Sequence, residues 1–348
     1  MQAVTFQGER SVAFQSVPEP ELLGRDAAVV AVRSAGVCGS DLHVYFGRER
    51  GLDPGTPMGH EFVGEVIEAG GEVRGLAIGD LVVSPFTTSC GACFYCRRSL
   101  TARCTRGQLF GWVEDGVGLA GAQAERVAVP LAETTLVRVP SGLEADAALL
   151  AGDVLATGLF SADLCVIEPD SVVAVLGCGP VGLMATAAAL EGEAGTVLAI
   201  DSVPERLALA RQFGALAIDR RRQDPRAAVD DLTSGRGADA VLEAVGSPEA
   251  TRLAVDLCRP GATIAAVGVH TESRFAFSPL EAYDKNLTYR AGRCSARSYL
   301  ERALELLVSD RYPLPSVISH RLPLSEGPEA YQIFAEHRDG CTKAVLVP

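Results

Sequence analysis

The chain has 348 residues, enough for two domains rather than one small core. Apolar residues make up 48% and charged residues 22%, the composition of a globular protein, which excludes a disordered or fibrous chain. A formal net charge of −13 and only 6% aromatic residues oppose phosphate backbones and base stacking, so no nucleic-acid partner is expected.

Residues 1–11 include Gln2, Gln7, Glu9 and Arg10 and lack the apolar run of a secretory signal. A cytoplasmic location is therefore expected. The N-terminal third reads as β: short β-branched runs at 28–32, 62–68 and 80–84 are separated by turns rich in Gly and Pro. Near Leu143 the pattern changes. Strands are expected at 172–176, 196–200, 240–245 and 263–269, and helices at 181–190, 204–213 and 248–258. Pro204 and Pro248 suit first helical turns, and Gly214 suits a C-terminal stop. Such alternation predicts a parallel, doubly wound sheet. The uncharged stretch 171–190 is long enough to span a membrane. However, Gly177-Cys178-Gly179-Pro180 interrupts it and Asp170 and Glu191 flank it, so it reads as strand, turn and helix, with no membrane role. Beyond about residue 285 the pattern is mixed α and β, and this tail is expected to pack back on the first domain.

Gly177-Cys178-Gly179-Pro180-Val181-Gly182 is a GxGxxG directly after an expected strand. Its first glycine permits a tight turn, its second lets backbone approach a pyrophosphate, and its third lets helix and strand pack closely. The helix N-terminus then offers free N–H groups to an anion. Asp201 ends the next expected strand, where a carboxylate accepts from adenosine ribose hydroxyls and repels a 2′-phosphate, which favours NAD over NADP. Arg206 is placed to reach the same ribose. Val245, Val267 and Val269, at the ends of later strands, complete the candidate cofactor-binding set. Val267–Val269 is also read as a sheet edge open to a second copy of the chain.

Four of the ten cysteines cluster as Cys90-x2-Cys93-x2-Cys96-x7-Cys104. With no export signal, this points to metal rather than disulfides. Four thiolates so spaced can wrap a tetrahedral zinc ion and leave no open position, which makes the site structural. The spacing does not match ferredoxin-type iron–sulfur runs. Three further pieces are Cys38-Gly39-Ser40-Asp41-Leu42-His43, Gly59-His60-Glu61 and Gly152-Asp153. Each alone is unremarkable. Together they offer sulfur, nitrogen and oxygen donors with one position left for substrate, as a catalytic zinc requires.

These motifs, in this order over nearly the whole chain, resemble the zinc-dependent alcohol dehydrogenases of the medium-chain dehydrogenase/reductase superfamily, in their compact bacterial, tetrameric form. The resemblance implies an α/β protein: a Rossmann-type doubly wound parallel sheet joined to a mostly β GroES-like catalytic domain with a structural zinc lobe. The implied domains are 1–152 (lobe about 88–106), 153–287 for NAD, and 288–348 returning to the catalytic domain. It implies two Zn2+ per chain: a catalytic ion on Cys38, His60 and Asp153, with Glu61 as alternate ligand, and a structural ion on the four-cysteine lobe. Asp153 stands where many relatives carry a second cysteine. Ser40 would bond the alcohol oxygen, His43 would pass its proton outward through the cofactor ribose, and Asp41 would fix the His60 tautomer. Gly39 departs from relatives with a pyrophosphate-binding Arg there, and Lys343 is expected to supply that charge. The implied reaction is reversible hydride transfer between a primary or secondary alcohol and NAD, giving an aldehyde or ketone. A polyol or threonine-type dehydrogenase and a zinc-bearing homologue without turnover are the alternatives. Tyr45, Phe86, Phe110 and Trp112 are candidates for an apolar substrate wall.

Overall fold

The computed structural model describes residues 1–348, which divide into two units. The first comprises Met1–Ala156, Ser295–Arg311 and Ile318–Pro348. Its seven-stranded sheet is organised around the strand Ala28–Val37. The strand Phe62–Ala69 pairs antiparallel along one side of it. On the other side two partners follow one another: Arg126–Val129 opposite its first half and Ala344–Val347 opposite its second. With neighbours on both sides and packing on both faces, this strand is almost wholly buried, which is why it lacks clean alternation. Ala28, Val30 and Val32 join Phe62, Val66, Val82 and Phe110 in one core cluster. Val37 joins a second cluster with Val4, Met58 and Leu346. The helix Gly327–Glu336 seals that cluster with Ala330, Tyr331, Ile333 and Phe334, the spacing of one helical face. The larger of these side chains, such as Ile333 and Phe334, each contribute about 1.5–3 kcal/mol by leaving water.

The second unit comprises Thr157–Cys294 and Tyr312–Val317. Its sheet runs, from one edge to the other, Leu216–Asp219, Thr196–Asp201, Val172–Leu176, Ala238–Glu243, Cys258–Ala266 and Thr288–Ala291. Every pairing is parallel. In chain order this is 3-2-1-4-5-6, the doubly wound arrangement whose order reverses between the third and fourth positions. The helices Pro180–Glu191, Pro204–Gln212, Pro225–Thr233 and Pro248–Leu257 each open on proline, whose missing N–H costs nothing there. Asp224 and Ser247 cap the last two by accepting from Arg226 N and Ala250 N.

Several boundaries differ from the expectations. The strand expected at 240–245 runs Ala238–Glu243, so Val245 lies beyond it. The strand expected at 263–269 begins at Cys258 and ends at Ala266, leaving Val267 and Val269 in the following turn. Val267–Val269 is therefore not a sheet edge. Cys258–Ala266 is interior, and Thr288–Ala291 is the edge. That sixth strand takes the nucleotide unit past the expected limit of 287, because its residues pair from Thr263↔Thr288 to Ala266↔Ala291. Tyr312–Val317 also belongs to this unit, so the tail does not return whole to the first one. The helix expected at 248–258 stops at Leu257 because Cys258 turns extended and pairs with Ala238. The stretch 171–190 divides into the strand Val172–Leu176 and the helix from Pro180. No single helix is long and apolar enough to cross a membrane.

Candidate metal centre and nucleotide turn

Cys38 follows the strand Ala28–Val37, where its backbone N–H donates to Asp41 Oδ2 at 2.9 Å and so closes the turn into the short helix Asp41–Tyr45. His60 and Glu61 immediately precede the strand Phe62–Ala69. Gly59 before them has φ +90°, and a Cβ there would lie 2.4 Å from Gln123 Cγ, so only glycine fits. Asp153 lies between the turn Leu150–Gly152 and the helix Val154–Asp163. These elements bring the ligand atoms of Cys38, His60, Glu61 and Asp153 within 4.8 Å of one another, all buried. His60 Nε2 is 3.2 Å from Asp153 Oδ2, and Cys38 Sγ is 3.5 Å from the same oxygen. On the far side of the ring, His60 Nδ1 lies 3.2 Å from Asp41 Oδ1. With Nδ1–H donating to Asp41, Nε2 keeps its lone pair for the centre, as a metal-binding imidazole requires.

Burial, reinforced by the Asp153 and Glu61 carboxylates, pushes the Cys38 thiol up to about 11. Burial would lower His60, but Asp41 and Asp153 override it and raise the ring well above its ordinary value. Burial likewise opposes ionisation of Asp153, yet its contact with His60 holds the carboxyl below its usual range. So dense a set of competing donors fits a cation: a buried thiol, an imidazole with a fixed tautomer and a carboxylate converge on one point.

Lys343 does not supply charge to a cofactor. It is fully buried and forms an ion pair with Glu61. The reason is register: Ala344 pairs with Val37, which turns the preceding lysine inward beside Glu61. Burial pushes Glu61 up and Lys343 pulls it back. Burial also works against the Lys343 ammonium, which Glu61 and the thiol of Cys38 raise again.

Ser40 Oγ lies 3.3 Å from His60 Nε2, at the rim of the centre. His43, one turn on, is held below its ordinary value by burial and then by the Arg48 cation. Among the aromatic candidates, Phe86 alone meets the centre, edge-on to His60 at 6.3 Å between centroids. Tyr45 packs on Tyr331 and Phe110 on Phe62, both in the core, and Trp112 packs on the periphery of the Tyr331 cluster.

The ligand atoms of Cys90, Cys93, Cys96 and Cys104 likewise lie within 4.8 Å, and all four cysteines are free thiols. Backbone amides of Cys96 and Thr105 lower the Cys93 thiol to about 5, whereas burial and then Cys93 push Cys96 up to about 12. Cys90 N donates to Cys104 Sγ at 3.2 Å and Arg106 N to the same sulfur at 3.4 Å. Amides aimed at sulfur suit a cluster of thiolates around one cation.

In the second unit Gly177 has φ +85°, and a Cβ on Gly182 would lie 1.6 Å from the Gly177 carbonyl oxygen. Asp201 does more than its sequence position suggested. Its Oδ2 accepts from Cys178 N at 2.6 Å, and its Oδ1 accepts from Ser202 N at 2.6 Å and Val203 N at 2.9 Å. It thus ties the glycine turn to the neighbouring strand and keeps acceptor capacity for a further donor. Arg206 Nη1 reaches to within 3.9 Å of where a Cβ on Gly179 would stand, so its guanidinium faces the turn before Pro180. Val181 follows in the first helical turn.

Glu243 was missed in the sequence. It is fully buried, and its Oε1 accepts from Val245 N and Gly246 N, both at 2.8 Å. His270 Nε2 lies 2.9 Å from its Oε2, and its carbonyl oxygen accepts from Val267 N and Gly268 N. One residue therefore clasps the two turns that carry the exposed Val245 and Val269. Gln123 and Tyr331, also missed, lie behind Asp41. A single buried polar residue has no local pattern that could have marked any of them.

A family model described as "Alcohol dehydrogenase GroES-like domain" matches residues 24–141, and one described as "Zinc-binding dehydrogenase" matches residues 180–309. The chain is 42% identical to zinc-type alcohol dehydrogenase B of Aspergillus flavus, over 96% of this chain and 78% of that protein. It is 47% identical to the medium chain reductase/dehydrogenase ucsI of Acremonium sp, over 82% of this chain and 98% of that one. Alcohol dehydrogenase TADH from Thermus sp. ATN1 superposes with a TM-score of 0.92 at 40% identity, covering 100% of this chain and 99% of that one.

Proposed function

Because the chain belongs to the zinc-dependent alcohol dehydrogenases of the medium-chain dehydrogenase/reductase superfamily, we propose that it transfers hydride reversibly between a primary or secondary alcohol and NAD. The observation that carries this reading is the buried convergence of Cys38, His60 and Asp153 beside the Ser40 hydroxyl. In this reading those three residues hold the reactive zinc, Glu61 is an alternate ligand, and the four-cysteine lobe holds a structural zinc. When bound, zinc supplies Lewis acidity at the alcohol oxygen and NAD supplies the hydride acceptor.

The chain's own groups do the rest. Asp41 locks His60 in the tautomer that faces the centre. Ser40 Oγ is the first acceptor for the alcohol's hydroxyl proton. His43, with its pKa lowered, is a neutral imidazole at pH 7 and takes that proton outward. Phe86 gives the carbon chain an apolar wall, which favours a simple alcohol over a polyol. On the nucleotide side, the N–H groups opening Pro180–Glu191 and the Arg206 cation attract pyrophosphate, and the Asp201 carboxylate accepts from ribose and repels a 2′-phosphate. The protein is read as a cytoplasmic homotetramer.

Steady-state rates with NAD and NADP across primary and secondary alcohols, aldehydes, ketones, polyols and threonine test the proposal. Highest kcat/KM on a simple alcohol with NAD is expected. A polyol or threonine in first place replaces the substrate class. Faster turnover with NADP removes the assigned role of Asp201. No turnover with any of them defeats the reading.

A further inference from the structure

Behind His60 a chain of buried polar groups runs to the C-terminal helix. Tyr331, on Gly327–Glu336, donates its O–H to Gln123 Oε1 at 3.0 Å. Gln123 Nε2 donates to the Gly36 carbonyl at 3.0 Å and to Asp41 Oδ2 at 3.4 Å. The same Oδ2 accepts from Cys38 N, and the other oxygen of Asp41 faces His60 Nδ1. Tyr331 and Gln123 are each 0% exposed and Asp41 is 5% exposed.

The donors and acceptors match in only one way. The Gln123 amide nitrogen points at two acceptors, so its carbonyl oxygen must face Tyr331, and Tyr331 must donate. Gly59 packs against the stem of Gln123 so closely that no Cβ fits between them. The backbone just before His60 therefore serves as the wall that holds Gln123 in place. A fully buried amide with its partners in register costs little, whereas one missing a partner costs its whole desolvation. Such an arrangement has few alternatives to slip into.

We propose that Gln123 and Tyr331 are positioning residues for the metal centre: they fix the Asp41 carboxylate, and through it the His60 ring, so that the C-terminal helix sets the geometry of the Cys38/His60/Asp153 ligand set. This rests on reading those three residues as zinc ligands. Asp41 links the Gln123–Tyr331 pair to the His60 ring. Its Oδ2 is held by Cys38 N and Gln123 Nε2, which leaves Oδ1 one orientation toward Nδ1. Without the Gln123 bond the carboxylate rotates more freely, and the imidazole with it. Partners of ligating residues commonly cost 10–100-fold in metal affinity or activity when removed. A group one contact further out is expected at the low end of that range.

The test uses Tyr331→Phe, which keeps the ring and removes only the O–H, and Gln123→Met, which keeps the length and removes both polar ends. Each full-length protein is loaded with zinc and dialysed against a chelator well below its unfolding temperature, and zinc loss is followed over time. In parallel the readily exchanged zinc is replaced by cobalt(II), whose visible absorption reports ligand geometry. Expected for both variants are about tenfold faster loss of one zinc equivalent, a shifted cobalt spectrum, and a fall in kcat with little change in KM for the alcohol. The second equivalent should leave at the wild-type rate. A purely structural role would lower the unfolding temperature without moving the cobalt bands. If Tyr331→Phe keeps the wild-type spectrum and the wild-type rate of zinc loss, the positioning role is wrong while the metal site stands, whatever Gln123→Met does to folding. If the wild-type protein takes up no metal on Cys38, His60 and Asp153, the functional reading and this inference fall together.

Discussion

Lys343 has no exposed surface, yet it carries an ammonium group, paired with an equally buried Glu61. Removing one member of such a pair leaves the other charge without compensation, which typically costs about 3–5 kcal/mol. Lys343→Met should lower the unfolding free energy by that order. Lys343→Met with Glu61→Gln should recover most of the loss, because no lone charge then remains. Denaturant unfolding of the two variants decides the point. Additive losses would mean that the residues do not act as a pair. His43 calls for a different measurement. Burial and Arg48 place its pKa below the ordinary histidine value, so the folded protein takes up its proton only at lower pH than the free side chain does. In the proposed relay the neutral imidazole is the proton acceptor. Alcohol oxidation should therefore hold its rate as pH falls through the usual histidine range and drop only below it. His43→Ala removes only the outer link of the proposed relay, which water can replace, so it should slow oxidation on the order of tens-fold, less than the roughly 10²–10⁴-fold usual for a general base, and added imidazole should restore part of the rate. A wild-type acid limb at or above the usual histidine range contradicts this placement.

Among the elements, the four-cysteine lobe and the open centre differ in one physical respect. Four thiolates leave no position through which a competitor can enter, whereas in the proposed reading the Cys38/His60/Asp153 set keeps one for substrate. A chelator should take one zinc equivalent together with activity, while the second stays and the circular dichroism is unchanged. Metal analysis of active, folded protein showing a single equivalent would sink this prediction. The same contrast explains what the sequence made legible. Cys90 to Cys104 form a local pattern, as do Gly177 to Gly182 before a proline-led helix, and both can be read without a fold. Cys38, His60 and Asp153 are far apart in the chain, and only their complementary donor types and the motif order that carries the family resemblance group them. Gln123, Tyr331 and Glu243 acquire meaning only through distant partners, and Lys343 was misread because strand pairing, not local sequence, turns it inward. The strands Leu216–Asp219 and Thr288–Ala291 span four residues each and are largely half-buried or exposed, so no alternation marked them.

At the scale of the whole molecule, the short strand Thr288–Ala291 leaves one edge of the parallel sheet unpaired. The strand is only four residues long and carries the exposed Arg290, both of which blunt an edge, but exposed apolar side chains also occur in the segment that leads into it. Phe275 is 66% exposed and meets Tyr289 of the strand edge-on, with 5.3 Å between ring centroids. Leu280 and Tyr283, three residues apart on the helix Pro279–Asp284, are 67% and 79% exposed, and that helix buries no residue. Exposed large apolar side chains such as these are a feature of interaction surfaces, and symmetric closure by a second copy is the commonest way to cover one. A chain of 36.4 kDa should therefore run as a homo-oligomer in light scattering at micromolar concentration, with a tetramer expected from the family resemblance. Leu280→Lys with Tyr283→Lys should shift the protein toward smaller species, because a twofold axis would bring the new like charges together. Neither side chain contributes to the core, so the secondary structure of the double variant should be unchanged. A wild-type protein that scatters as a monomer rules out the interface. A double variant that remains fully tetrameric moves the interface elsewhere on the molecule.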